Sequence, residues 1–126
     1  MLTRAFLGLT GLLFLAFAAV SFLNPIGMAA SLGVEVSGPN GAYELRGIYG
    51  GVSLGAGLLC LGGVLRAGLR APALWFLVTY MGGYIFARAA ALLMGPAPTS
   101  AYTGFIAFEA AVLFGAALCL FARRNN

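Results

Sequence analysis

Charge and histidine are scarce in this sequence. Only 8% of its 126 residues are charged and none is a histidine, whereas 62% are hydrophobic and the mean hydropathy is +1.00. The lack of histidine excludes imidazole metal sites and histidine-based acid–base catalysis. So apolar a composition is typical of an integral membrane protein rather than of a soluble domain.

Cysteine is equally sparse. Cys60 and Cys119 each stand alone among leucine, alanine and glycine residues. Both fall near the ends of apolar segments that we assign to the cytoplasmic side, where disulfides are disfavoured. We interpret them as small core residues rather than as metal ligands or redox groups. No nucleophile–base pair or phosphate-binding loop is recognisable, so we predict no catalytic residue, no metal and no cofactor, and we lean against an enzyme.

Four long apolar runs fill almost the whole chain. About 20 apolar residues cross a hydrocarbon core of roughly 30 Å, and runs of this length cover residues 5–23, 43–65, 72–94 and 101–122. Between the first two runs, residues 26–36 form an apolar segment too short to span, which we predict to be an interfacial helix or a re-entrant segment on the outer face. The predicted fold is therefore all-α: residues 1–126 form a single-domain four-helix transmembrane bundle, with a short interfacial helix between spans one and two.

The net charge of +4 comes from arginines that do not form a patch, so we expect no nucleic-acid partner. They flank the spans instead, as Arg4 at the N-terminus, Arg66 and Arg70 in the middle loop, and Arg123 and Arg124 at the C-terminus. Cytoplasmic loops are enriched in Lys and Arg. We therefore predict a multi-pass protein of the bacterial inner membrane with both termini in the cytoplasm.

Three ionisable residues lie within or at the edge of the apolar runs: Arg46, Arg88 and Glu109. An ionisable group at membrane depth is costly unless it is paired or hydrated, so it marks a candidate functional site. A rise of about 1.5 Å per residue places all three in the outer half of the bundle at similar heights. We predict that Arg88 pairs with Glu109 and that Arg46 is near enough to share the carboxylate.

Helical periodicity places three tyrosines on the same helix faces as these charges. We predict an outer-half ligand-binding pocket made of two arginines, one glutamate and three tyrosines: Arg46, Tyr49, Tyr84, Arg88, Tyr102 and Glu109. Two arginines against one glutamate would leave the pocket net positive. The expected ligand is a small anion or a lipid-like amphiphile.

Two other functions fit the same charges. A buried Arg88–Glu109 bridge that only fixes helix packing would make the protein a structural or accessory membrane subunit. Glu109 could instead carry protons in a small coupled transporter, although nearby arginines favour its ionised form.

Small residues recur at four-residue spacing on the second and fourth spans. The two ridges are Gly47, Gly51 and Gly55 on one span, and Ala107, Ala111 and Gly115 on the other. In lipid, small residues at this spacing let two helix backbones approach closely. We predict that the ridges pack helices within the chain, with a homodimer or a partner membrane protein as the alternative.

A specific motif opens the second span, the string E-x-R-x-x-Y-G-G from Glu44 to Gly51. Together with the break at Pro25, Arg88 in the third span and Glu109 in the fourth, it resembles domain of unknown function 4345 (DUF4345), a group of short four-helix bacterial membrane proteins. Tyr43 stands where the family pattern has Asn. The resemblance implies a four-helix membrane fold and supplies no biochemical activity. A more distant, architectural likeness is to small four-helix proteins of the DoxX type, and fold alone does not carry function.

Overall fold

The computed structural model describes residues 1–124, which are helical throughout apart from short connections and contain no strand. Within them, four helices are long and apolar enough to cross a membrane. In chain order, the helices are α1 (Leu2–Leu23), α2 (Pro25–Ser31), α3 (Gly38–Leu45), a π-helical turn (Arg46–Gly51), α4 (Val52–Leu65), α5 (Ala67–Met94), a 3-10 turn (Ser100–Tyr102) and α6 (Thr103–Arg124). The predicted all-α fold with four membrane-length helices is confirmed, and the second and third begin about one turn earlier than predicted.

The break between α1 and α2 follows from Asn24 and Pro25. Asn24 leaves the helical conformation at φ −139° and ψ 68°, and its side-chain oxygen accepts a 3.0 Å hydrogen bond from the Gly27 amide. Pro25 takes the first position of α2, where its missing N–H is not needed. This helix ends at Ser31, so it covers only part of the segment predicted as interfacial, and its position at a membrane surface stays a prediction.

The second span is one continuous helix made of α3, the π-helical turn and α4. In the turn, the Val52 amide donates to the Gly47 carbonyl, five residues back rather than four. A π-helical turn therefore holds one more residue than an α-helical turn, and it shifts the 3.6-residue register between the helices on its two sides. Side chains of α3 do not continue the faces of α4.

The helices α1 and α4 run antiparallel. A Cβ added to Gly8 would lie 3.7 Å from Val64, and one added to Gly50 would lie 3.1 Å from Phe22. Around the bundle, α4 contacts α5 and α5 contacts α6, whereas α1 and α6 touch at few points. We name the end with the start of α1 and the end of α6 the terminal end, and the opposite one the distal end.

The closest helix packing joins α1 to α4 through glycines. A Cβ added to Gly57 would lie 2.8 Å from the Leu15 side chain and 3.0 Å from the Gly11 carbonyl oxygen. One added to Gly11 would lie 3.1 Å from the Cys60 Cβ. The two backbones therefore approach as closely as they do only because these positions lack side chains.

The glycine ridge predicted on the second span is on a different face. A Cβ on Gly47 or Gly55 would meet no heavy atom within 4 Å, and one on Gly51 would meet only a carbonyl of its own helix. The packed face of α4 instead carries Ser53 and Gly57, which are buried. The three ridge glycines thus make no close contact within the described chain, and contact with a second copy or a partner protein stays a prediction.

The ridge on the fourth span is packed at one position. Gly115 lies against the Phe6 ring of α1, where a Cβ would come within 3.0 Å of the ring Cζ. Ala107 and Ala111 are exposed.

The hydrophobic core is a continuous cluster of buried side chains that includes both free cysteines: Leu7, Phe14, Ala56, Cys60, Ala73, Leu74, Leu77, Met81, Val112, Ala116 and Cys119.

Two glycines on nearly opposite faces of α4 provide a matched test of this packing. We expect Gly57→Leu to lower the free energy of unfolding by about 1–3 kcal/mol because the new side chain overlaps α1. Gly55→Leu should be neutral or stabilising by up to about 1 kcal/mol, since it adds helix propensity in open space. Far-UV circular dichroism during SDS titration in mixed micelles measures both, and equal losses would contradict the packing described.

Candidate functional site

One ion pair joins α5 to α6 near the distal end. Arg88 donates from Nε to Oε2 of Glu109 and from Nη2 to Oε1, each over 2.5 Å. Glu109 is 7% exposed, and the Arg88 side chain is 26% exposed. The predicted pair is therefore confirmed in its bidentate form, in which the planar guanidinium matches both carboxylate oxygens.

Two tyrosine rings enclose the same guanidinium. The Cζ atom of Arg88 lies 4.7 Å from the ring centroid of Tyr102 and 5.5 Å from that of Tyr84. Tyr84 stands one turn earlier on α5, and Tyr102 lies in the 3-10 turn before α6. Cation–π attraction to both rings adds to the ion pair, so three side chains stabilise the arginine charge.

Arg46 lies apart from this pair. Its Nε donates a 3.1 Å hydrogen bond to the Phe22 carbonyl, and the side chain is exposed. Carbonyls in the last turn of a helix lack an intrahelical partner, so Arg46 caps the end of α1. It does not share the carboxylate of Glu109, because the π-helical turn shifts it from the face extrapolated at 100° per residue. Glu44 is also exposed.

Because Arg46 lies outside the site, the net charge of the site differs from the one predicted. One arginine faces one glutamate, and the two neutralise each other through a bidentate contact. The net positive charge on which a free anion was predicted is therefore not assembled here. Among residues 1–124, no group of three or more His, Cys, Asp and Glu side chains is arranged to hold a metal ion.

A cavity of about 440 Å³ lies beside the ion pair and is lined by residues of all four spans. Its size is within the range of small-molecule sites. Five of the six predicted ligand-binding residues line it: Tyr49, Tyr84, Arg88, Tyr102 and Glu109. The rest of the lining is mainly apolar or aromatic: Leu13, Phe14, Phe17, Leu32, Ser53, Tyr80, Met81, Gly104, Phe105 and Phe108. We name this space the distal cavity.

The aromatic residues of the distal cavity contact one another across helices. Phe14 of α1 packs edge-on against Phe108 of α6, with ring centroids 6.0 Å apart. Phe17 meets Tyr49 in the same way at 6.1 Å. Tyr80, which sequence reasoning left out of the site, has its hydroxyl 3.3 Å from that of Tyr84. The sequence signal for Tyr80 was its position one helical turn before Tyr84.

A smaller cavity of about 220 Å³ is also lined by this arginine. Arg88 and Tyr102 line both cavities, and the other lining residues come from the end of α5, the following loop and α6: Ala91, Leu92, Pro96, Pro98 and Ile106. Arg88 and Tyr102 are thus shared by the walls of the two cavities.

A double-mutant cycle measures the coupling of the pair. We expect Arg88→Leu and Glu109→Leu each to lower the free energy of unfolding by about 3–5 kcal/mol, because each leaves one buried charge without its partner. The double variant should recover most of that loss. Arg46→Leu serves as the control and should cost only about 1 kcal/mol, since its bond is exposed. Additive losses in the double variant would show that the two charges are not coupled.

The chain was compared with protein-family models, curated proteins and solved structures. No curated protein and no solved structure matches it. A family model described as Domain of unknown function (DUF4345) matches residues 2–122, nearly the whole chain, whereas the more distant likeness to DoxX-type proteins is not confirmed. The chain therefore belongs to the DUF4345 family.

Proposed function

We propose that the protein binds a small amphiphile in the distal cavity. One observation carries this proposal: polar residues from three parts of the chain line a cavity whose remaining surface is mainly apolar. The phenol groups and the Arg88–Glu109 pair would face the head group. The phenylalanines would contact the tail. Small-molecule sites commonly combine an apolar lining with a few placed polar groups.

The neutral ion pair favours an uncharged head group. An anion would have to compete with Glu109 for the guanidinium of Arg88. That exchange would leave a buried carboxylate without its partner, which is strongly unfavourable. The hydroxyls of Tyr49, Tyr84 and Tyr102 offer donors and acceptors to a neutral alcohol or carbonyl group without disturbing the pair. Of the two ligand classes predicted, the amphiphile has the better support.

The structural-subunit alternative is favoured by the same pair. A bidentate bridge between α5 and α6 fixes their packing whether or not a ligand is present. A proton-coupled transporter has less support, because both carboxylate oxygens of Glu109 already accept hydrogen bonds from the Arg88 guanidinium. The binding experiment below separates the amphiphile site from a purely structural role.

The proposed site can be tested with dodecanol that carries a photoreactive diazirine, added to the protein in lipid nanodiscs. We expect saturable labelling that maps to the cavity and is displaced by unlabelled dodecanol. The matching diazirine-bearing dodecanoate should compete poorly because of its charge. Tyr49→Phe should weaken the apparent affinity about fivefold, the equivalent of one hydrogen bond. Tyr43→Phe is the control, since Tyr43 is exposed and lies outside the cavity lining.

Unsaturable labelling spread over lipid-facing residues would reject the amphiphile site. Together with strong coupling of Arg88 and Glu109 in the stability cycle, that result would favour the structural-subunit alternative. Equal labelling by the alcohol and the carboxylate would reject the preference for an uncharged head group, but not the amphiphile site itself.

We also propose that both termini face the cytoplasm of a bacterial inner membrane. The support is that four arginines flank the spans at the terminal end of the bundle, as expected for cytoplasmic ends: Arg4, Arg66, Arg70 and Arg123. No Lys or Arg occurs between Pro96 and Tyr102, the opposite connection.

Reporter fusions in a bacterial host test this orientation. Green fluorescent protein fused after Asn126 should fluoresce, and alkaline phosphatase fused there should be inactive, because each reporter works on only one side of the membrane. Alkaline phosphatase fused after Pro98 should be active, and a fusion after Gly68 should behave like the C-terminal one. The reverse pattern would overturn the orientation.

A further inference from the structure

The helices α1 and α6 close the bundle by contact at the terminal end. There the Phe6 ring lies over Gly115, which has no side chain to hold the helices apart. The two helices otherwise touch at few points, whereas each is packed extensively on its other neighbour. The rest of the boundary between α1 and α6 is therefore sparsely packed.

The same two faces are open toward the distal end. Leu13 follows Phe6 by two turns on α1, and Ala111 and Gly104 precede Gly115 by one and three turns on α6. Leu13 is 46% exposed, Ala111 is exposed, and a Cβ on Gly104 would meet no heavy atom within 4 Å. Beside the ring contact of Phe14 with Phe108, the outer positions of the two helices are therefore exposed rather than packed.

This gap leads into the distal cavity. Leu13 and Gly104 are exposed on the outside of the bundle and also line the cavity. The wall formed by α4 and α5 includes Ser53 and Met81, which are buried. Exposure therefore increases from the interior wall toward the boundary between α1 and α6.

We propose that this gap, bounded by Leu13 and Gly104 and here named the lateral window, admits the amphiphile sideways from the bilayer. The proposal rests on the proposed function. Phe17 and Phe105, which line the cavity on the same two helices, are apolar like Leu13. A hydrocarbon chain can pass such a rim without losing its apolar surroundings, whereas a hydrated ion would have to shed water.

The lateral window also defines the ligand class more narrowly. A chain that enters from the side can leave its far end in the bilayer, so the cavity of about 440 Å³ has to hold only the head group and the adjoining methylenes. Longer alcohols should then bind the protein about as well as dodecanol at equal concentration in the membrane. The expected ligand is a single-chain, membrane-dissolved amphiphile with an uncharged polar head.

Substitutions that narrow or widen the window test this inference through exchange rates. In nanodiscs, excess dodecanol displaces the bound diazirine alcohol, and photolysis at successive times gives the displacement rate. Ala111→Trp should slow displacement about tenfold. Ala111 lies one turn before Gly115 on the face of α6 that meets α1, and it does not line the cavity. Ala117→Trp is the control on another exposed face of α6.

A second pair of variants changes the window in the opposite direction. Leu13→Ala removes bulk at the rim and should speed displacement severalfold. Leu12→Ala, its exposed neighbour outside the cavity lining, should leave the rate unchanged. This pair keeps the inference testable if the tryptophan variant does not fold.

The possible failures are distinguishable. Saturable binding to the wild-type chain with unchanged rates in both window variants would overturn the lateral window alone and point to entry beside the smaller cavity. Absence of saturable binding to the wild-type chain would overturn the proposed function and the window with it. Slower exchange in Ala111→Trp together with faster exchange in Leu13→Ala, both against unchanged controls, would establish the window.

Discussion

The contact between Arg88 and Glu109 determines the arrangement of the distal half of the bundle. Two charges within membrane-length helices are tolerable only when each meets the other in good geometry. Here the pair is bidentate, and the guanidinium also lies against two tyrosine rings. That geometry holds α5 beside α6 and positions Tyr84 and Tyr102 on the cavity wall. The ion pair therefore forms part of the wall of the distal cavity, and its arginine also lines the smaller cavity.

The four spans and this pair were predictable from sequence for the same reason. A bilayer requires about 20 apolar residues per span, and it penalises an unpaired charge, so both features are visible in composition and depth alone. The position of Arg46 was not predictable in this way. Its face was extrapolated with a 3.6-residue repeat through a segment that is π-helical, and the repeat fails there. Nothing in the string from Arg46 to Gly51 except its glycine content indicates that failure.

The packed glycines and the cavity-lining phenylalanines were not predicted, for a different physical reason. Four-residue spacing identified small residues on the second span, yet Gly57 and Gly11, not Gly55, permit the close approach of α1 and α4. In lipid, apolar side chains are equally stable facing a neighbouring helix or the hydrocarbon, so hydrophobicity does not mark the packed side. The same degeneracy left Phe14 and Phe108 out of the predicted site. Only polar groups showed where the interior lies, which is why five of six polar assignments converge on one cavity.

The π-helical turn also has a consequence for how the second span tolerates change. Most substitutions at lipid-facing positions of α4 preserve its length and leave its packed face in place. Loss of one residue between Arg46 and Gly51 would restore an α-helical turn and leave α3 and α4 in nearly the same relative orientation, because the π-helical turn holds one residue more. The span would stay apolar and long enough, and only side chains inside the turn would change direction. A single-residue deletion should therefore be tolerated better in this segment than in the regular helix of α4, where it would rotate the residues on one side of it by about 100° relative to the other.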